Sequence, residues 1–504
     1  MNKKGFTLME IIVVIALLGA IMLLVVPNIT KNFKDSKKRL FYDNVISLYS
    51  SAGRSFLLSG SQTGKTFSND GDALDAEVSA NVTYKIIINS FGEITSIYVS
   101  NGTYTYSKSG SNITKKDIKL EDVIEGTGDE DASAKVTLFD KLLEDNPTIS
   151  TRTDFSAPFT TNTANTLYKA TENGTDVYYF AGQDTASTPI NNWVKFGKYT
   201  TDGPIRGHYS ETNQAFKEYT TMEECTSATQ FNVNCSYAWK SGDDIYWRII
   251  RTNADGSIRL LYHRTSTTAT DTYIGKSEFN TNSNSTKYVG YMYGDTDTTP
   301  EEARTNTNNS TIKTYIDNWY ANNMTSYTKY LSTTAVYCNE REVGSGTYSA
   351  TGSTFYYATY TRLDTNKAPS YDCTNDNDKF TVDESTGNGK LTYPIALMTA
   401  DEISYAGGVA YTSAPMWYYT NSTLESSTGE EYWWSLSPFY WYHGNAYSWN
   451  VIGSDGPGLL SYDGVVYYSF GVRPVVSLKS CIKYSTGNGT SETPYEIVET
   501  SSGC

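Results

Sequence analysis

The 504-residue chain is predicted to be α+β, with a long N-terminal α-helix, a small antiparallel β head and a larger, irregular α+β domain. Three observations predict it. An unbroken apolar run at the start passes into a stretch with helical spacing. Short alternating segments follow, separated by Asn-Gly and Gly-rich turns. The remaining two thirds are rich in Tyr, Asn, Thr, Ser and Gly and hold many short strand-like segments but few helical ones. A chain of this length exceeds one ordinary core, so two or three domains are expected.

The apolar run covers residues 6–26, interrupted only by Thr7, Glu10 and small residues. A helix of this length crosses a hydrocarbon layer of roughly 30 Å at about 1.5 Å per residue. Glu10 is the anomaly, because a carboxylate in hydrocarbon needs a partner. Pro27 removes one backbone hydrogen bond and is expected to kink the rod. Beyond it, Ile29, Phe33, Leu40, Phe41, Val45, Leu48, Ala52 and Phe56 recur mostly at steps of three and four, extending the helix to about Leu58. Gly60 and Gly64 end it.

Lys3-Lys4-Gly5-Phe6-Thr7-Leu8-Met9-Glu10 resembles the processing signal of type IV prepilins and of the pseudopilins of type II secretion. The resemblance implies cleavage between Gly5 and Phe6 by a prepilin peptidase and N-methylation of Phe6. It also implies that Glu10 pairs with the terminal amine of a neighbouring pilin subunit during filament assembly. Each buried charge then supplies the other's counterion. The run lacks the small-x-small site of an ordinary secretory signal, since Pro27-Asn28-Ile29-Thr30 follows it. Lys31, Lys34, Lys37, Lys38 and Arg39 outnumber Lys3 and Lys4, so a positive-inside count alone favours the opposite topology. The motif outweighs the count, because an ordinary anchor has no use for Glu10.

Residues 61–81 read as a polar loop. Its Asp70, Asp72, Asp75 and Glu77 offer a calcium site as one reading, but they lack the spacing of an EF-hand loop and read first as solvated acids. A three-strand meander follows: Val82–Ile88, the turn Asn89–Gly92, Glu93–Ser100, the turn Asn101-Gly102, and Thr103–Ser107. Helix, loop and meander together resemble a small pilin head over residues 59–125. An acidic linker is assigned to residues 126–150, with a short helix near Ala134–Leu143, and the large extracellular domain to residues 151–504.

In that domain, strands are expected at Val177–Phe180, Trp193–Tyr199 and Ile245–Arg251. Ile258–Tyr262 pairs back across the Asn253–Gly256 turn. A helix is expected over Thr311–Asn322, with Ile312, Tyr315, Ile316 and Trp319 on one face. Residues 264–310 read as long surface loops. Near the C-terminus come Thr399-Ala400-Asp401-Glu402, then Trp434-Ser435, then Gly471-Val472-Arg473-Pro474. This order resembles a C-type-lectin-like domain, similar to formylglycine-generating enzymes, found in secreted proteins of Gram-positive bacteria. The resemblance implies a helix and two strands around one core, with Trp433, Trp434 and Arg473 inside it.

The net charge of −15 weighs against nucleic acid as a partner. The cysteines, Cys225, Cys235, Cys338, Cys373, Cys481 and Cys504, contain no Cys-x-x-Cys pair and are read as disulfides, nearest-neighbour pairing being the simplest of fifteen connectivities. His208, His263 and His443 are too few for a His-rich metal site. There is no zinc-protease, nucleophile-elbow, dinucleotide or phosphate-loop motif. Neither the reactive cysteine pair of the formylglycine-generating enzymes nor the calcium motifs of sugar-binding C-type lectins is present. No enzyme activity, cofactor or metal is therefore expected. The run Phe439-Tyr440-Trp441-Tyr442-His443-Gly444-Asn445 is the candidate binding loop: Tyr440, Trp441, Tyr442 and His443 would face a surface glycan or protein, unless strand alternation buries every second ring.

The sequence thus reads as a pilin-like subunit, anchored in the membrane and then displayed in a cell-surface filament, whose large domain binds a ligand. The subunit would be a minor or tip component. Two other readings stay open: a surface-anchored enzyme of the formylglycine-generating type, and a pseudopilin of a type II secretion or DNA-uptake machine.

Overall fold

The computed structural model describes residues 8–60, 64–69, 71–76, 78, 82–89, 92–109, 112–126, 136–161, 163–211, 216–269, 271–352, 354–419, 432–453, 456–500 and 503–504; side chains are described from Lys34 onward, except at 462–463. Contacts divide the chain into two compact units, 1–135 and 136–504. The class is mixed α+β, dominated by antiparallel sheets with few helices.

In the first unit a helix is assigned over Leu8–Ser59. Phe41, Val45, Leu48, Ala52 and Phe56 recur at steps of three and four and are all buried. Each large apolar side chain so placed contributes about 1.5–3 kcal/mol. They pack on a sheet of five strands among the described residues, Lys65–Ser68, Thr83–Ile88, Ile94–Ser100, Tyr104–Ser109 and Ile124–Glu125, each antiparallel to the next. The expected meander is thus widened at both edges. Lys65–Ser68 leaves the polar loop because Phe67 is buried and its backbone pairs with Ile86. Gly102 takes the positive φ of 79° that the hairpin turn demands. Among the described residues with described side chains, no helix is long and apolar enough to cross a membrane; most of the run 6–26 is helical backbone from Leu8, but its side chains fall outside that set.

The second unit opens on the helix Leu138–Asp145, capped by Thr137 Oγ1, which accepts from the Asp140 amide at 3.0 Å. Its largest sheet runs Ile395–Leu397, Pro474–Leu478, Ile258–Arg264, Asp244–Thr252, Thr175–Tyr179, Thr166–Glu172, Thr148–Ser150. Trp193–Lys198 also pairs with Asp244–Thr252. A second sheet runs Gly275–Glu278, Ser469–Val472, Trp433–Tyr442, Phe355–Tyr357, Val343–Ser345, with Asn445–Val451 hairpinned onto Trp433–Tyr442. One core holds both sheets and the buried face of the helix Thr311–Asn323, including Ile312, Ile316 and Trp319. Tyr315 is half-buried beside them.

Residues 264–310 are not the surface loops expected. Asp271, Thr272, Asn280, Thr286 and Ser310 are all buried. Their polar groups find partners inside: Thr286 Oγ1 donates to Asp297 Oδ2 at 3.0 Å, and Ser310 Oγ to the Tyr291 carbonyl at 2.8 Å. A Ser/Thr/Asn-rich composition therefore marks irregular, internally bonded chain here rather than exposed chain.

The six cysteines form the nearest-neighbour bridges Cys225–Cys235, Cys338–Cys373 and Cys481–Cys504. All three lie in the second unit.

Candidate functional site

Tyr440, Trp441, Tyr442 and His443 lie at the end of the strand Trp433–Tyr442 and the turn that follows. His443 and Gly444 both take positive φ, 47° and 75°, which reverses the chain onto Asn445. The strand is central, with neighbours on both sides, so Phe439, Tyr440 and Trp441 are buried. Tyr440 stacks between Tyr356 and Tyr442, at 5.5 and 5.3 Å with ring planes 16° apart in both pairs. Both faces of that ring are thereby occupied. Tyr440 and Trp441 thus do not face a ligand as expected. Tyr442, 37% exposed, and His443 at the turn remain outside.

The Thr399–Glu402 signature organises a buried polar centre. Thr399 caps the helix Ala400–Tyr405, and Glu402 closes the capping box: the Glu402 amide donates to Thr399 Oγ1 at 3.1 Å and the Thr399 amide to Glu402 Oε2 at 2.9 Å. Glu402 is only 1% exposed. Its Oε1 accepts from Arg251 Nε at 3.0 Å and Arg259 Nη1 at 2.6 Å, and Arg251 Nη2 donates onward to Glu172 at 2.9 Å. Burial pushes the Glu402 carboxyl up, but Arg259 and Arg251 outweigh it and hold the group below its ordinary range. Beside it, Arg362 grips Asp401 through Nε at 2.7 Å and Nη2 at 2.8 Å and also reaches Glu340. These groups and the Cys338–Cys373 bridge line a small, partly open cavity of about 60 Å³, room for a few waters. Each of these carboxylates is committed to an arginine, so the centre is a fixed charge lattice joining the strand Asp244–Thr252 to the 400–405 helix. Sequence reasoning named Glu402 and missed its partners. The signal lay in Ile245-Tyr246-Trp247-Arg248-Ile249-Ile250-Arg251, where an arginine in an apolar strand demands a buried counterion.

Arg473 lies inside, as expected, with its guanidinium 5.1 Å from the Trp433 ring. Its Nη1 donates to the Tyr418 carbonyl at 2.7 Å and Nη2 to Tyr262 at 3.2 Å. Burial pushes this guanidinium down to about 9. Trp433 and Trp434 are fully buried, and Trp434 Nε1 donates to the Ser277 carbonyl at 2.9 Å.

The three histidines sit on separate elements. His208 is buried beside Asp271, Nε2 to Oδ2 3.5 Å, but Arg206 and Arg264 already hold that carboxylate. Burial, then the charges of Arg264 and Arg206, push His208 down to about 4. His263 packs edge-on against Trp193 at 4.3 Å, and burial lowers it as well. Among the described residues no group of three or more His, Cys, Asp or Glu is placed to hold a metal ion. Of the acidic loop, Asp72 pairs with Lys65 at 3.0 Å and Asp75 is exposed, while Asp70 and Glu77 lie outside the described residues.

Gly5 and Phe6 also lie outside the described residues. Glu10 falls on the helix Leu8–Ser59, with its side chain outside them. A family model, the prokaryotic N-terminal methylation motif, matches residues 1–26. The chain therefore begins as a precursor of the pilin and pseudopilin type, with a type IV pilin-like N-terminus. No curated protein and no solved structure matches the chain.

Proposed function

We propose that the chain is a type IV pilin-like subunit, cut between Gly5 and Phe6, methylated at Phe6, anchored through residues 6–26 and drawn into a surface filament. Glu10 then meets the new amine of an adjacent subunit. The observation that carries this reading is the methylation motif over residues 1–26. The second unit is the ligand-binding, adhesive part, carried outward by a minor or tip subunit. Its bulk supports that place, since a bulky head on every subunit would crowd the helical packing of a shaft.

A C-type-lectin-like arrangement is supported by where three sequence signatures lie. The 400–405 helix, the Trp434-Ser435 segment and the Gly471–Pro474 segment all contribute to one core. The cysteines weigh against the formylglycine-generating alternative: none is free among the described residues, so the reactive thiol pair of such an enzyme has no counterpart.

Mass spectrometry of protein taken from the cell surface tests the reading. A mature chain starting at N-methylated Phe6 is expected. A chain retaining Met1, or starting beyond Val26, overturns it.

A further inference from the structure

One groove of the second unit lies apart from the aromatic turn and the buried charge lattice. It is open, about 690 Å³ in volume, and runs between the edge strand Gly275–Glu278, the residues that follow it, and the exposed face of the helix Thr311–Asn323. Its lining is chemically one-sided. Four carboxamides, those of Asn280, Asn282, Asn309 and Asn318, share it with Ser and Thr hydroxyls. Among the described residues, Tyr293 and Tyr315, both half-buried, are its only rings. No aliphatic side chain among them lines it, and one cation, Lys276, is balanced by one anion, Glu278.

We infer that this groove binds a neutral oligosaccharide. Each sugar hydroxyl is both donor and acceptor, and carboxamides and hydroxyls offer the same duality, which charged groups do not. The two tyrosines supply apolar surface for the C–H side of a sugar ring. An apolar peptide side chain would find no pocket, and a phosphate or sialylated chain would find no net positive charge.

One buried side chain at the groove lacks a hydrogen-bond partner. Asn280 is 3% exposed and lines the groove, and its Nδ2 has no hydrogen-bond partner. That nitrogen has no accessible surface as the groove stands, so a ligand oxygen meets it only when the Asn280 side chain turns outward, which would recover the roughly 1–3 kcal/mol that an unmet buried donor costs. The surrounding chain is held ready. The Asn280 amide donates to the Val466 carbonyl at 2.9 Å, and the Ile312 amide to Phe279 at 3.2 Å. The Thr281 amide donates to Thr311 Oγ1 at 3.0 Å. The groove floor is thereby tied to the first turn of the helix, so little ordering is left for binding to accomplish.

The inference rests on the binding role proposed for the second unit, and its test separates the two. Full-length protein is purified in a detergent without a sugar headgroup and titrated with cellohexaose, chitohexaose, mannohexaose and a panel of neutral glycans, by saturation-transfer NMR and array binding. At least one neutral oligosaccharide is expected to bind. Thr314→Arg and Asn318→Arg, both on the exposed helix face, are expected to weaken it about tenfold or more, with the circular dichroism of the parent. Met222→Ala, exposed and outside the groove lining, is expected to bind as the parent does. Silence toward every neutral glycan, binding that survives both arginine variants, or displacement of the sugar by an unrelated peptide overturns the inference. The mature N-terminus is read on the same preparation: methylated Phe6 without glycan binding refutes the groove alone, and glycan binding on an unprocessed chain refutes the pilin reading alone.

Discussion

Glu402 carries the strongest single-residue consequence in the second unit. Replacing it by Gln leaves Arg251 and Arg259 buried without their shared counterion, a loss of about 3–5 kcal/mol. Urea unfolding of Glu402→Gln should show that loss, and a cost below about 1 kcal/mol would mean that water reaches the centre. His208 predicts a pH dependence. It is held at about 4 in the fold against an ordinary 6.5, so between these values the unfolded chain binds more protons. Stability is then complete above 6.5 and declines as pH falls toward 4, by roughly 3 kcal/mol for this residue. The buried charged groups facing it are Arg206, Arg264 and Asp271. Melting curves from pH 7.5 to 4.5 should slope accordingly, and His208→Asn should flatten them. At this scale the sequence was legible where an odd residue stood in a regular context, as at Glu402. It was illegible where a partner lay far along the chain, since nothing local ties Arg251 to a residue 151 positions away.

Among the elements, the 311–323 helix and the hairpin across Asn253–Gly256 could be read because local rules decide them: an apolar face at helical spacing, and a turn with Gly256 at φ 77°. Of the strand Trp433–Tyr442 only the first half, around Trp434-Ser435, could be. Pro438 in its middle signals a break, and the aromatics after it suggest an exposed loop. The strand survives because its register shifts on either side of Pro438, a bulge that spares the missing amide. The disulfides act on elements too. Cys338–Cys373 closes the longest loop, 35 residues, and Cys225–Cys235 the shortest, 10. Loop-closure entropy places their contributions at about 4 and 3 kcal/mol. Ser substitution of each pair, followed by thermal melting, should reproduce that order. Gly207 offers a sharper probe: a Cβ there would collide with the Phe231 carbonyl and the Cys225 sulfur. Gly207→Ala should therefore weaken the Cys225–Cys235 hairpin region selectively, visible as faster hydrogen exchange over residues 205–237.

For the whole molecule, the proposed assembly hangs on one acid. Glu10→Gln preserves size and removes the charge, so the processed subunit should remain in the membrane and sheared filaments should fall by about tenfold or more. Unchanged filament yield would separate assembly from that carboxylate. The order of the three bridges has a consequence for how the molecule is made. They are neither nested nor crossed: 225 with 235, 338 with 373, 481 with 504. When such a polypeptide threads out amino end first, each thiol meets its mate before the following pair emerges. Vectorial delivery therefore favours this connectivity over scrambled isomers whenever oxidation keeps pace with emergence.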